Sequence, residues 1–181
     1  MLFPNPENQR PKISEKAWIS ETAIIIGDVT IGDNVFVAHN AIIRADEPGS
    51  SIVIENNCNV QDNVIIHALS KSKVLVKSNT SLAHGCIVHG PCTIGQRCFV
   101  GFGAVVFDCS IGDDALVLHN ATVRGVQVPG EKVVPDGRAI TRQEDVEELE
   151  DITAELTKFK ASVINANVNL VNDYKNLEQE A

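Results

Sequence analysis

The chain has 181 residues, of which 44% are hydrophobic and only 4% aromatic, and its formal net charge is −9. This length supports one buried core with an appended element, and the acidic balance disfavours nucleic acid and anionic membranes as partners. We find no apolar run of about 18 residues that could span a membrane, and no basic and apolar start typical of a secretory signal. We therefore expect a cytoplasmic protein.

Residues 1–140 carry aliphatic side chains at every sixth position, most clearly in one run: Leu82, Val88, Ile94, Val100 and Val106. A hexapeptide period is typical of a parallel β-helix, in which each hexad supplies one short strand and one bend. Three hexads complete a triangular coil of about 18 residues, and the aliphatic side chains stack inside it. The sequence predicts such a β-helix domain over residues 1–140, including an N-terminal lead-in.

Two turn-like insertions interrupt this period. The segment EPGSS at residues 47–51 adds five residues, and SKSK at residues 70–73 adds four. We expect both to bulge from a corner of the triangle, because loops at the surface tolerate added length.

A different period begins after Ile140. Residues 141–144 match a capping box, which predicts the start of a helix. Apolar residues then follow at steps of three and four: Leu149, Ile152, Leu156, Phe159, Val163, Ala166 and Leu170. The sequence predicts that residues 141–181 form an amphipathic helical segment that packs along the β-helix of its own chain. A further hypothesis is that the same segment also contacts a second subunit.

The five cysteines contain no CxxC pair, and several of them follow the six-residue repeat. We interpret them as small buried apolar residues in a reducing compartment, with a cysteine–zinc site as the minor alternative.

The insertions determine which residues of successive coils are neighbours. Ile43, Ile66 and Val88 fall in one inward column once five and four residues are subtracted from their spacings. The next residue of each hexad then forms an outward column: Arg44, His67, His89 and Phe107. The register therefore predicts that His67 and His89 stack roughly 5 Å apart at the backbone, which suits two ligands of one metal.

A second column contains Asp62, His84 and Phe102, across a corner from His89. Neutral imidazole is the commonest metal ligand, and three histidines leave a coordination position open, as in a catalytic zinc site. His84 could reach the same metal only by turning across the corner, so an adjacent subunit is the alternative source. Three identical flat faces would suit a threefold ring.

The remaining polar residues allow simpler interpretations. We interpret His39 and His119 as polar surface residues, and the pair Arg44 and Asp46, taken alone, could be an ordinary surface ion pair.

Four segments together resemble the gamma-class carbonic anhydrases, from about Lys12 to Lys175. In chain order they are IIRADE, NVQDNVIIHAL, NTSLAHGCIVHGP and NVNLVNDYK, which begin at Ile42, Asn59, Asn79 and Asn167. The resemblance implies a left-handed β-helix, a homotrimer, and one divalent metal bound at each site by His67, His89 and the neighbouring subunit's His84.

The same resemblance implies roles for the residues around the metal. Arg44 and Asp46 would form an ion pair at the subunit interface, and Gln61 would bind the water on the metal. Further catalytic positions would be Asp62, Asn59 and Glu47, with a bicarbonate contact at Asn167.

The activity implied is that of a carbonate dehydratase, the reversible hydration of CO₂ to bicarbonate by a metal-bound hydroxide at a subunit interface. Zinc is the expected metal, with Fe(II) or Co(II) as alternatives, since all three accept imidazole. The chain departs from the family after His67, where residues 68–73 form a short loop with no carboxylate. Ser70 stands where the family has a glutamate that transfers protons, so Glu47, buffer or water would take that role.

Two other functions use the same fold. A non-catalytic trimeric scaffold or assembly subunit is favoured slightly by the short loop and disfavoured by the intact histidines. A hexapeptide acyltransferase would need a single histidine base and a groove for coenzyme A, and the fold alone does not exclude it.

Overall fold

The computed structural model describes residues 1–180, with side chains through residue 177, and shows a parallel β-helix with three faces and about seven coils. We number strands in chain order. Face A contains β1 (Leu2–Phe3), β4 (Ile24–Gly27), β7 (Ile42–Ala45), β10 (Ile65–His67), β13 (Ile87–Ile94), β15 (Val105–Ile111), β17 (Thr122–Arg124) and β20 (Ala139–Ile140). Face B contains β2 (Lys12–Ile13), β5 (Val29–Ile31), β8 (Ser51–Ile54), β11 (Lys73–Val76), β18 (Gln127–Val128) and the second halves of β13 and β15. Face C contains β3 (Trp18–Ile19), β6 (Phe36–Val37), β9 (Asn59–Val60), β12 (Ser81–Leu82), β14 (Phe99–Val100), β16 (Leu116–Val117) and β19 (Lys132–Val134). The predicted fold class is confirmed.

The inward column of face A has the predicted register. Ile66 pairs with Ile43 on one side and with Val88 on the other, and Val88 pairs with Val106. All four side chains are fully buried. Each aliphatic residue therefore packs on its equivalent one coil away, which removes apolar surface from water along the whole length of the solenoid.

The corners of the triangle require a left-handed backbone conformation. Among the described residues, twelve that are not glycine have positive φ, and seven of the twelve are asparagine. Asparagine tolerates this region better than other side chains, so its recurrence in the sequence marks the bends between hexads.

The two insertions stack on one another at the corner between faces A and B. The backbone N–H of Lys71 donates to the carbonyl of Pro48, and Ser70 Oγ donates to the same carbonyl. The expected bulges are therefore present, and the second is supported by the first.

The C-terminal segment differs from the single helix that the sequence predicts. A short helix, α1 (Gln143–Glu147), is followed by β21 (Glu150–Asp151), which pairs antiparallel with β19, and then by α2 (Ala154–Glu180). The N-cap residue is Arg142, whose backbone N–H donates to Asp145 Oδ2 at 3.3 Å, and so the capping box predicted at residues 141–144 is wrong in position.

Helix α2 lies along face C, but on a stripe shifted from the predicted one. Its buried residues are Lys160, Ile164, Asn167 and Val171, whereas Phe159 and Leu170 are exposed. The prediction followed apolar residues alone. The helix instead turns two polar side chains inward because each finds a hydrogen-bond partner there: Lys160 Nζ, for example, lies 2.8 Å from Asp114 Oδ1 and 2.9 Å from the Asp114 carbonyl.

All five cysteines are free and buried, in agreement with their interpretation as core residues. Burial raises the pKa of Cys58, Cys86 and Cys98 to about 12. Within residues 1–180, no helix is long and apolar enough to cross a membrane.

Candidate metal centre

His67 and His89 form a pair on the outer side of face A. Parallel pairing of β10 and β13 places them directly opposite one another, with Arg44 on the other side of His67 and Phe107 beyond His89. His67 Nδ1 lies 3.0 Å from His89 Nε2. The predicted stacking of the two histidines is confirmed.

The other ring nitrogen of His67 is the least satisfied atom of this pair. His67 Nε2 is buried and has no hydrogen-bond partner, with Asp46 Oδ1 at 3.6 Å and Glu47 Oε1 at 3.5 Å. Burial lowers the pKa of His67, as do the charges of Arg44 and His89, against the opposing effect of the two carboxylates. His67 is therefore held toward the neutral imidazole, the form that binds metals.

Acidic side chains surround His67 on the face A–B corner. Arg44 Nη1 lies 3.3 Å from Asp46 Oδ2, so the predicted ion pair forms within one chain. Asp46 Oδ1 is buried without a partner. Glu47 Oε2 accepts a hydrogen bond of 2.7 Å from the backbone N–H of Ser70, so the short second insertion holds this carboxylate beside His67.

His84 lies in a different cluster, at the corner between faces C and A. Asp62 Oδ2 is 3.0 Å from His84 Nδ1, and Gln61 Nε2 donates to Asn167 Oδ1 at 3.4 Å. These four side chains share a cavity of about 310 Å³ under helix α2, together with Phe36, Ala38, His39, Leu170 and Tyr174. The structure thus brings together Gln61, Asp62, His84 and Asn167.

Asn59 is a predicted site residue that lines neither this cavity nor the surroundings of His67. It is buried on face C, accepts a 2.9 Å hydrogen bond from Ser81 Oγ, and leaves its amide nitrogen unpartnered. Its contacts hold the end of β9, from which Gln61 follows.

Sequence reasoning missed two polar residues of the cavity, His39 and Tyr174. A lone histidine on a strand predicts only a surface residue, and the sequence pattern does not single out Tyr174. The spacing of His39, Asp62 and His84 is 23 and 22 residues, which is one coil plus an insertion each time. The register argument that joined Asp62 to His84 therefore already placed His39 in the same column.

The residues present fit a divalent metal in part. Two nitrogens bound to one tetrahedral zinc at about 2.0 Å are roughly 3.3 Å apart, close to the facing nitrogens of His67 and His89. Burial of His67 favours its uncharged form, which suits a ligand role. Within residues 1–180, however, no group of three or more His, Cys, Asp or Glu side chains could hold an ion in one chain.

Comparison with known proteins defines the class. A family profile described as bacterial transferase hexapeptide (six repeats) matches residues 10–45. The carbonic anhydrase of Methanosarcina thermophila is 33% identical over 192 residues, covering 94% of this chain and 77% of that protein. The chain belongs to the hexapeptide-repeat family of the gamma-class carbonic anhydrases.

The chain also resembles proteins with other names. The carboxysome assembly protein CcmM of Nostoc sp. is 37% identical over 166 residues, covering 86% of this chain but only 30% of CcmM. The chain thus spans less than a third of that relative. A Bacillus cereus structure described as an acetyltransferase covers 97% of both chains with a TM-score of 0.84 and 24% identity, which shows a shared fold.

Proposed function

We propose that this chain is a metal-dependent carbonic anhydrase that interconverts CO₂ and bicarbonate at the subunit interfaces of a homotrimer. The observation that carries the proposal is the division of the candidate site into two half-sites. One half-site contains His67 and His89, and the other contains His84 with Gln61, Asp62 and Asn167. The first half-site supplies two histidine ligands, and the second supplies a third histidine and the polar side chains that would orient the reactants. The similarity to the Methanosarcina enzyme supports CO₂ as the substrate.

The outer surface of face A supports the subunit contact. Beside the histidine column runs an apolar column in which Ile65 pairs with Ile42 and Ile87, and Ile87 pairs with Val105. Ile65 is 39% exposed and its three neighbours are half-buried. A contiguous apolar surface of this kind marks an interaction site. Covering it with the His84 corner of a second subunit would place the two half-sites together.

The ligands of the metal would be His67, His89 and His84 of the partner subunit, with zinc as the first choice and Fe(II) or Co(II) as alternatives. Zinc lowers the pKa of a water bound to it to about 7, a value known from carbonic anhydrases themselves. Asp62 Oδ2 lies 3.0 Å from His84 Nδ1, so His84 would offer its Nε2 to the metal.

The polar side chains of the cavity would orient the reactants. Asn167, on helix α2, donates to the carbonyl of Val163 and accepts from Gln61. The helix therefore fixes the orientation of the Gln61 amide. Gln61 would then direct a hydrogen bond at the attacking water, and Asn167 would contact bicarbonate. Arg44 with Asp46 and the Ser70-bound Glu47 would fix the surroundings of His67. Asn59 would stiffen the strand that precedes Gln61.

The experiment that tests the proposal is stopped-flow CO₂ hydration with metal analysis on the same anaerobically purified sample. We expect about one metal per subunit and activity that His89→Ala abolishes. His119→Asn is the matched control, because His119 lies outside the cavity and asparagine can still accept the bond from the Phe102 backbone N–H. A metal-loaded protein without activity in any buffer would refute the proposal.

A second candidate function is a trimeric assembly protein without catalysis. It is favoured by the similarity to CcmM, whose name describes carboxysome assembly, and by the loop after His67 that carries no carboxylate. This candidate predicts a trimer of unchanged stability in His89→Ala and no CO₂ hydration by the wild-type protein.

A further inference from the structure

Hydration of CO₂ releases one proton for each bicarbonate formed, and the loop after His67 offers no carboxylate to accept it. We infer that His39 receives this proton in the cavity and passes it to solvent. The inference rests on the proposed function and adds a proton-transfer residue to it. From the sequence alone, His39 is predicted to be an ordinary polar surface residue.

The position of His39 follows from the coil register. It occupies the corner one coil before Asp62, and its side chain lines the cavity that contains Gln61, Asp62 and His84. The His39 backbone N–H donates to Asp62 Oδ1 at 3.1 Å. The corner is thus tied to the half-site by a backbone bond, which survives any substitution of the His39 side chain.

The His39 ring is placed for exchange with water. Its Nδ1 lies 3.7 Å from Asp62 Oδ1, too long for a hydrogen bond, so this carboxylate does not immobilise the ring. The side chain is 52% exposed in the single chain, so water reaches the ring. One side of the ring faces Trp18 at a centroid distance of 6.0 Å. The titratable groups that share the cavity with it are Asp62, His84 and Tyr174.

Glu47, the acceptor considered from the sequence, is less suited. One of its oxygens accepts from the Ser70 backbone and the other faces His67, so the carboxylate is held in place on the His67 side. Imidazole is also the side chain that ordinarily exchanges protons near neutral pH, where an acceptor must be regenerated in every turnover.

The proton step balances without a further cofactor. Hydroxide forms the C–O bond to CO₂ and becomes bicarbonate. The water that replaces it after bicarbonate leaves then loses one proton, which regenerates the hydroxide. A nitrogen of the His39 ring accepts that proton through water in the cavity, and a buffer base then removes it. The histidine returns to its starting state, and the buffer is the net acceptor.

The test is stopped-flow CO₂ hydration by the zinc-loaded full chain at low and high buffer concentration, comparing wild type with His39→Ala and His39→Gln. We expect kcat at low buffer to fall by at least about ten-fold in both variants, with the roughly 10²–10⁴-fold of general acid–base catalysis as the upper range. The ratio kcat/KM should not change, because proton release follows bicarbonate formation. Added imidazole should restore kcat in His39→Ala.

The outcomes separate this inference from the proposed function. If the wild type is active and the His39 variants keep full kcat at low buffer, the role of His39 is overturned and the proposed function stands. A loss of kcat at low buffer in Glu47→Gln, with none in the His39 variants, would assign the proton transfer to Glu47 instead. An equal fall in kcat and kcat/KM without imidazole rescue would show a structural effect on Asp62 and would also overturn it. A wild-type protein that binds metal and has no activity would overturn the proposed function and this inference together.

Discussion

Asp62 joins the two histidines of the face C–A corner. Its Oδ1 accepts from the His39 backbone, and its Oδ2 faces His84 Nδ1 at 3.0 Å. A carboxylate in this position holds the ring of a metal ligand in one orientation and one tautomer, and such partners usually affect metal affinity almost as strongly as the ligands do.

We expect Asp62→Asn to weaken metal binding by about 10- to 100-fold, because asparagine removes the negative charge that orients His84. Competition with a chelator, read by metal content, measures this without relying on activity. Asp136→Asn is the matched control, since Asp136 Oδ1 accepts from the His119 backbone in the same corner column but away from the cavity. Equal affinities of Asp62→Asn and wild type would contradict the assigned role of Asp62.

Sequence register predicted the residue pairs but not the directions of their side chains. The stacking of His67 on His89 follows from counting coils, as does the contact of Asp62 with His84. Counting did not reveal that His67 Nε2 would turn toward Asp46 and Glu47 and stay unpartnered. Ring orientation depends on local packing and hydrogen bonds, which a repeat period does not encode.

Helix α2 shows how elements outside the repeat depend on the surface they cover. Leu156 and Val163 pack against Phe99 and Leu116, and Val171 packs against the ring pair of Trp18 and Phe36. The interruption by β21 could not be read from the apolar spacing, because that strand forms by pairing with β19 and not by a pattern of its own. Tertiary contact here outweighed local helical preference.

We expect Lys160→Met to lower the free energy of unfolding by about 1–3 kcal/mol, because the Asp114 carboxylate loses a buried charged donor and keeps only its hydrogen bonds to Arg97. Urea denaturation measures the change. Lys158→Met is the control on the exposed side of the same helix and should stay within about 0.5 kcal/mol of wild type. A loss no larger than that of the control would show that Lys160 does not anchor the helix.

For the whole molecule, the division of the site changes what one chain can do. The pair on face A and the His84 cluster lie on different parts of the triangle. If function requires both, a single chain is inactive however well it folds, and each site in a cyclic trimer belongs to one interface between two subunits.

Mixing two inactive variants tests this arrangement. His84→Ala and His89→Ala chains that are denatured together and refolded at equal amounts should regain about a quarter of wild-type activity, because three quarters of random trimers are mixed and each has one intact site in three. Each variant refolded alone should stay inactive. Failure of the mixture to recover, with trimers present by light scattering, would place all three ligands within one subunit.

Because the two stacked bulges lie at the face A–B corner, their length does not affect the register in which the coils of the solenoid pair. Ser70 binds Glu47, and Lys71 binds Pro48, entirely outside the buried column of Ile43, Ile66 and Val88. Residues can therefore be gained or lost at this corner over evolutionary time at small thermodynamic cost. A change of loop length at this corner would alter the contacts of Glu47 beside His67, while the buried column would keep His67 and His89 in register.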